Sequence, residues 1–143
     1  MRWLVAAVAM IVLAGCSGSP EVVPTQAAPK PSTTATTMAP DKLADLSLGL
    51  EGKVLLKHAD PKGEEPSWSS ELRVAKGYRL HLHCIPGEVV GDIVTKVGST
   101  RFTDECGGEP SMHEVDVSGG QRSVAVVVPS GAKWAVLVEA KPA

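Results

Sequence analysis

The stretch Tyr78-Arg79-Leu80-His81-Leu82-His83-Cys84 changes character at every residue, and a period of two is the signature of a half-buried β-strand. Tyr78, Leu80, Leu82 and Cys84 fall on one face; Arg79, His81 and His83 fall on the other. The same alternation sets Trp68, Ser70, Leu72 and Val74 together, then Val124, Val126 and Val128, then Trp134, Val136 and Val138. Breaker-rich segments separate these runs: Asp60-Pro61-Lys62-Gly63, Ile85-Pro86-Gly87, Gly98-Ser99, Gly119-Gly120 and Pro129-Ser130-Gly131. The spacing predicts strands near 53–57, 68–74, 78–84, 89–97, 100–105, 113–117, 122–128 and 133–139. About eight short strands with turns roughly eight to twelve residues apart predict an all-β, antiparallel β-sandwich, jelly-roll or immunoglobulin-like. Aromatic residues make up 3% of the chain, so the core must be built from Val, Leu and Ala. Residues 41–48 stay open between two readings. Leu43 and Leu46 have helical spacing, whereas Leu46, Leu48 and Leu50 have strand spacing.

Two other textures precede the predicted strands. Residues 1–15 carry one charge, Arg2, followed by an apolar run from Trp3 to Ala14. That run is shorter than the roughly 20 residues a membrane-spanning helix needs, and it has the length of a signal-peptide core. Residues 17–42 hold five prolines and five threonines among small residues, with no apolar periodicity. Such a segment cannot bury enough apolar surface to offset its ordering entropy, which predicts a disordered linker. Its reach is about 80 Å if polyproline-like and nearer 30 Å as a flexible coil.

Between these two textures stands Leu13-Ala14-Gly15-Cys16: an aliphatic residue, two small residues and a cysteine. This resembles the lipobox of bacterial lipoproteins, and the resemblance covers the first sixteen residues. It implies cleavage before Cys16 and lipidation of the Cys16 thiol, with residues 1–15 as the signal, 16–42 as lipidated cysteine and tether, and 43–143 as the folded domain. It also implies attachment to the cell membrane at its extracytoplasmic face. Two acyl chains suffice for stable anchoring. Residues 76–140 are loosely similar to small secreted domains of actinobacterial lipoproteins, a likeness that brings no chemistry with it.

With Cys16 assigned to lipid, Cys84 and Cys106 remain, in a compartment that permits disulfides. The expected reading is a Cys84–Cys106 bridge; two free thiols or a metal site are the rivals. No Cys-x-x-Cys pair supports thioredoxin-like redox chemistry.

Signals for chemistry are sparse. His81 and His83 at i and i+2 share a strand face, a spacing found in metal sites. With His113 or His58 beside them they would offer three nitrogens to zinc or copper; the competing reading is that they are plain surface residues beside Arg79. Ser130-Gly131-Ala132-Lys133 matches the Ser-x-x-Lys string of penicillin-recognising enzymes, but here it falls in a predicted turn and lacks the partner motifs. The carboxylates Glu64, Glu65, Glu71, Asp104, Glu105, Glu114 and Asp116 read as a solvated surface. Trp68 and Trp134 alternate with core residues, which predicts burial over a sugar-stacking role. The net charge of −2, with both signs scattered, argues against nucleic acid as a partner. The expectation is a non-enzymatic envelope module whose partner is a protein or glycan, needing no cofactor. The alternative is a zinc- or copper-binding lipoprotein using His81 and His83.

Overall fold

The computed structural model describes residues 41–143. The described chain is all-β. Its eight strands are β1 (Val54–Asp60), β2 (Ser67–Val74), β3 (Gly77–Ile85), β4 (Asp92–Val97), β5 (Thr100–Glu105), β6 (Ser111–Asp116), β7 (Gly120–Val127) and β8 (Lys133–Ala140). They form two four-stranded antiparallel sheets: sheet A in the order β1-β8-β3-β6 and sheet B in the order β2-β7-β4-β5.

That order follows from folding one long antiparallel ribbon over on itself. Strand β1 pairs with β8, β2 with β7, β3 with β6 and β4 with β5. The ribbon's successive rungs alternate between the two sheets, and the additional β3–β8 and β4–β7 pairings close each sheet. This is the jelly-roll arrangement, so the topology decides between the two sandwiches that strand count alone allowed.

The alternation read from the sequence sets the core. Tyr78, Leu80, Leu82 and Cys84 of β3 meet Trp134, Val136 and Val138 of β8 on the inner face of sheet A. Leu72, Val74, Ile93, Val97, Val124 and Val126 oppose them from sheet B. Trp134, Tyr78 and Leu80 have no exposed surface. The predicted strand at 89–97 starts later, at Asp92. Val89 and Val90 are exposed in the crossover between the sheets, where Pro86, Gly87 and Gly91 withhold regular pairing.

The crossovers at one end of the sandwich pack backbone on backbone. A Cβ on Gly87 would lie 2.6 Å from the Gly131 carbonyl, so the β3–β4 and β7–β8 loops approach more closely than a side chain allows. The disulfide Cys84–Cys106 adds a covalent tie there, with Cα atoms 4.6 Å apart. It joins the end of β3 in sheet A to the residue after β5 in sheet B, so it staples the sheets together.

Residues 41–52 form neither a helix nor a strand. They run as a strap over the outer face of sheet A, with a turn at 46–49. Leu46 packs on Ala135 and Leu137 of β8, with Leu43, Ala44 and Leu50 around them. The run Ala135-Val136-Leu137-Val138 has apolar side chains pointing both ways because both faces of β8 are covered.

Candidate functional site

Polar groups that could carry chemistry collect in three places: beneath the strap, at the β1/β2 edge and at the β5/β6 edge. Beneath the strap the central residue is Glu139, 1% exposed. The register places it opposite Arg79 on the outer face of sheet A. Its Oε2 accepts the N–H of Gly52 at 2.7 Å and of Glu51 at 3.2 Å, and its Oε1 accepts from His81 Nε2 at 3.0 Å. Burial pushes the carboxyl pKa up, but the Gly52 N–H, the His81 ring and the Glu51 N–H together hold it below the ordinary range. Arg79 lies alongside and bonds Glu51 at 2.5 Å and Glu114 at 2.6 Å. Lys141 extends the chain of charges to Glu114 and Asp116. The strap is thus held by a buried anion as well as by leucines.

His83 holds the strap's other end. It is 3% exposed, and its Nδ1 accepts the Ala44 N–H at 2.8 Å. That bond leaves the ring proton on Nε2, which is buried without a partner among the described residues. Burial lowers the His83 pKa, opposed by the charge of Glu109. The reading of His83 as a surface residue is therefore corrected. The face opposite the core is covered here because the strap lies on it.

The three candidate ligands divide between two faces. His81 and His83 sit on the outer face of sheet A. His113 pairs with the inward-facing Leu80, so it points between the sheets. There its Nε2 donates to both carboxylate oxygens of Asp104, each at 2.9 Å, across the β5/β6 edge, with Phe102 4.8 Å away between ring centroids. The fold does not bring His113 to the other two. Among the described residues no group of three or more His, Cys, Asp or Glu side chains is arranged to hold a metal ion.

At the opposite edge of the sandwich, His58 of β1 stacks on Trp68 of β2, with centroids 4.4 Å apart and planes 10° from parallel. Trp134 completes the cluster at 5.3 Å from His58 and 6.1 Å from Trp68. His58 Nε2 donates to Glu65 at 2.7 Å and Trp134 Nε1 to the Glu65 carbonyl at 2.9 Å. Both tryptophans face inward, as their alternation predicted. Asp60, 6% exposed, accepts the N–H groups of Lys62, Gly63 and Glu65 and so fixes the β1–β2 loop. Burial raises its pKa, and those donors outweigh the burial and lower it.

Each described histidine is therefore engaged in a contact that joins separate segments: strap to sheet for His83, strand to strand for His81, strand to loop for His58 and sheet to sheet for His113. Ser130 lies in the β7–β8 turn and Lys133 opens β8. Cys16 lies outside the described residues. Sequence reading missed Glu139 and Asp60, and it offered His58 only as an alternative third metal ligand, not as a partner of Trp68 and Glu65. Only the apolar run in β8 hinted that the outer face of sheet A is covered, and so that a charge on it would be buried.

No protein-family model matches the chain, and no curated protein does. Among solved structures, it is similar to the C-terminal domain of A223, a structural protein from Sulfolobus turreted icosahedral virus. The identity is 17% and the TM-score 0.36, over 64% of this chain and all of that domain.

Proposed function

We propose that the chain is an extracytoplasmic lipoprotein whose jelly roll is a non-catalytic module for binding a protein or glycan of the cell envelope. In this reading residues 1–15 are removed, Cys16 carries the acyl chains, residues 16–42 form the tether, and residues 43–143 are presented beyond the membrane surface. The observation that carries it is the Cys84–Cys106 bridge. Disulfides persist in oxidising compartments, and this one supports export independently of the N-terminal motif. The described chain enters over the outer face of sheet A, and among the described residues no segment covers the outer face of sheet B. The binding role draws further support from the polar residues that hold strap, loops and edges in place, a use that favours a rigid scaffold.

Mass spectrometry of the protein from native membranes tests the anchor. The expected N-terminal peptide begins at Cys16 and carries the diacylglyceryl mass. Intact Met1, or a bare thiol on residue 16, rejects it. The Cys16→Ser chain tests the binding role by co-sedimentation with isolated envelopes. Saturable binding is expected; linear, unsaturable uptake removes the role.

A further inference from the structure

The β4–β5 hairpin carries a charge pattern that the fold does not use. On the outer face of sheet B the register sets Asp92 opposite Glu105 and Lys96 opposite Arg101, with Val94 opposite Thr103 between them. Both charged pairs are like with like. Directly opposed side chains lie about 4.5–5.5 Å apart at Cβ, and like charges there are destabilising. The two pairs cannot relieve each other. Asp92 and Lys96 are four residues apart on one strand, about 13 Å, which exceeds the Debye length of about 8 Å in physiological salt. All four residues are exposed. None of them joins an ion pair among the described residues.

Read along the hairpin, the face presents two acids, a neutral pair, then two bases. Turned end for end, that pattern is its own complement. Take a two-fold axis in the plane of the face, at right angles to the strands, through the Val94–Thr103 row. It carries Lys96 and Arg101 of one copy over Asp92 and Glu105 of the other, and the reverse contact follows by symmetry. An axis parallel to the strands would instead set like charges on like, so the charges select the orientation. The same row continues across the sheet through Val127 to Ser67. Val127 is 53% exposed, which places an uncovered apolar side chain on the axis. Ser69 and Ala125 in the next row are small and leave the face flat.

We infer that the outer face of sheet B is a self-association surface, occupied by a second copy of this chain packed face to face with its strands reversed. The overlap is confined to a few rows around the axis. The contact therefore belongs with small, transient interfaces, under about 1,200 Å2, and its specificity comes from charge. It does not depend on the lipid anchor, so it is tested in the Cys16→Ser chain, whose two remaining cysteines are bridged to each other.

The test is cross-linking of a single introduced thiol by a short bismaleimide. Thr103→Cys sits on the axis row, facing its own copy across two packed sheets, which lie about 10 Å apart. Gln121→Cys lies on the same face but far from the axis. Thr103→Cys is expected to cross-link about tenfold faster than Gln121→Cys, and more slowly as salt is raised. Adding Lys96→Glu and Arg101→Glu is expected to abolish the difference, as is adding Asp92→Lys and Glu105→Lys. Mixing these two charge-reversed chains is expected to restore it. Each reversal keeps the hairpin's pairs like with like, so the unfolding midpoints should stay unchanged and report that the variants fold. Equal rates at the two cysteines, or rates indifferent to charge reversal in variants with unchanged midpoints, overturn the inference.

Discussion

Glu139, Asp60 and His83 are ionisable side chains inside a small domain, and each is tolerable for a different reason. The two carboxylates are surrounded by N–H donors, so their charged forms are favoured despite burial. His83 accepts a hydrogen bond at one nitrogen and is buried without a partner at the other among the described residues, so its neutral form is favoured despite the charge of Glu109. All three have folded-state pKa values below those of the unfolded chain. The unfolded state therefore binds the additional protons, and stability falls as pH falls. The His83 contribution is complete above its unfolded pKa of about 6.5 and is lost as pH drops through the folded value. The carboxylate contributions are complete above about 4.3 and are lost below it. Urea midpoints measured from pH 8 to pH 3 are expected to fall in those two windows. His83→Gln, which keeps an acceptor for the Ala44 N–H, is expected to flatten the upper window only. Glu139→Gln is expected to cost roughly 1–3 kcal/mol at pH 7, because an amide has one accepting oxygen where the carboxylate has two, and to shrink the lower window to the part that Asp60 contributes. At this scale the sequence was legible for apolar residues, whose neighbours follow from alternation. It was silent for Glu139, whose donors come from a segment distant in sequence.

The strap and the disulfide are the elements that turn two sheets into one unit. Gly52 lets the strap pass into β1: a Cβ there would lie 1.9 Å from the Ala140 carbonyl, a backbone atom that cannot swing aside. Gly52→Ala is expected to destabilise by about 1–3 kcal/mol, the usual cost of overpacking. It should also raise the rate of limited proteolysis within 41–53; unchanged cleavage would mean the strap is not held at that point. The Cys84–Cys106 bridge closes a loop of 23 residues, counting both ends. The chain-entropy model gives it about 3.4 kcal/mol, so reduction should lower the urea midpoint by a large share of its value. The bridge is the expected reading once Cys16 is set aside as the lipidated residue, with free thiols or a metal site as rivals, and alternation places Cys84 inward. The strap did not follow, because residues 41–50 satisfy two periodicities partly and neither fully. Leu43, Leu46 and Leu50 find their partners on β8, and Leu48 stays 78% exposed.

Across the whole molecule, the jelly roll pairs the first strand with the last and the second with the seventh. Closing such distant pairs costs loop entropy before any contact compensates, so folding should occupy milliseconds to seconds with the disulfide intact. Stopped-flow fluorescence of the fully buried Trp134 measures this, and microsecond folding would contradict it. Removing residues 133–143 deletes a central strand of sheet A. It should leave a chain without sheet signal in circular dichroism.

What the sequence determined by itself was local: which segments are strands, which face of each is apolar, where the turns fall and which two cysteines remain to pair. Those features depend on residues one, two or a few positions apart, whose geometry the backbone fixes. The tertiary structure alone decided the order of strands within each sheet, the burial of Glu139 and His83 beneath the strap, and the separation of His113 from His81 and His83. It also decided the pairing of like charges across the β4–β5 hairpin. These depend on which distant segments meet and in what register, and a two-residue period is equally compatible with many such meetings.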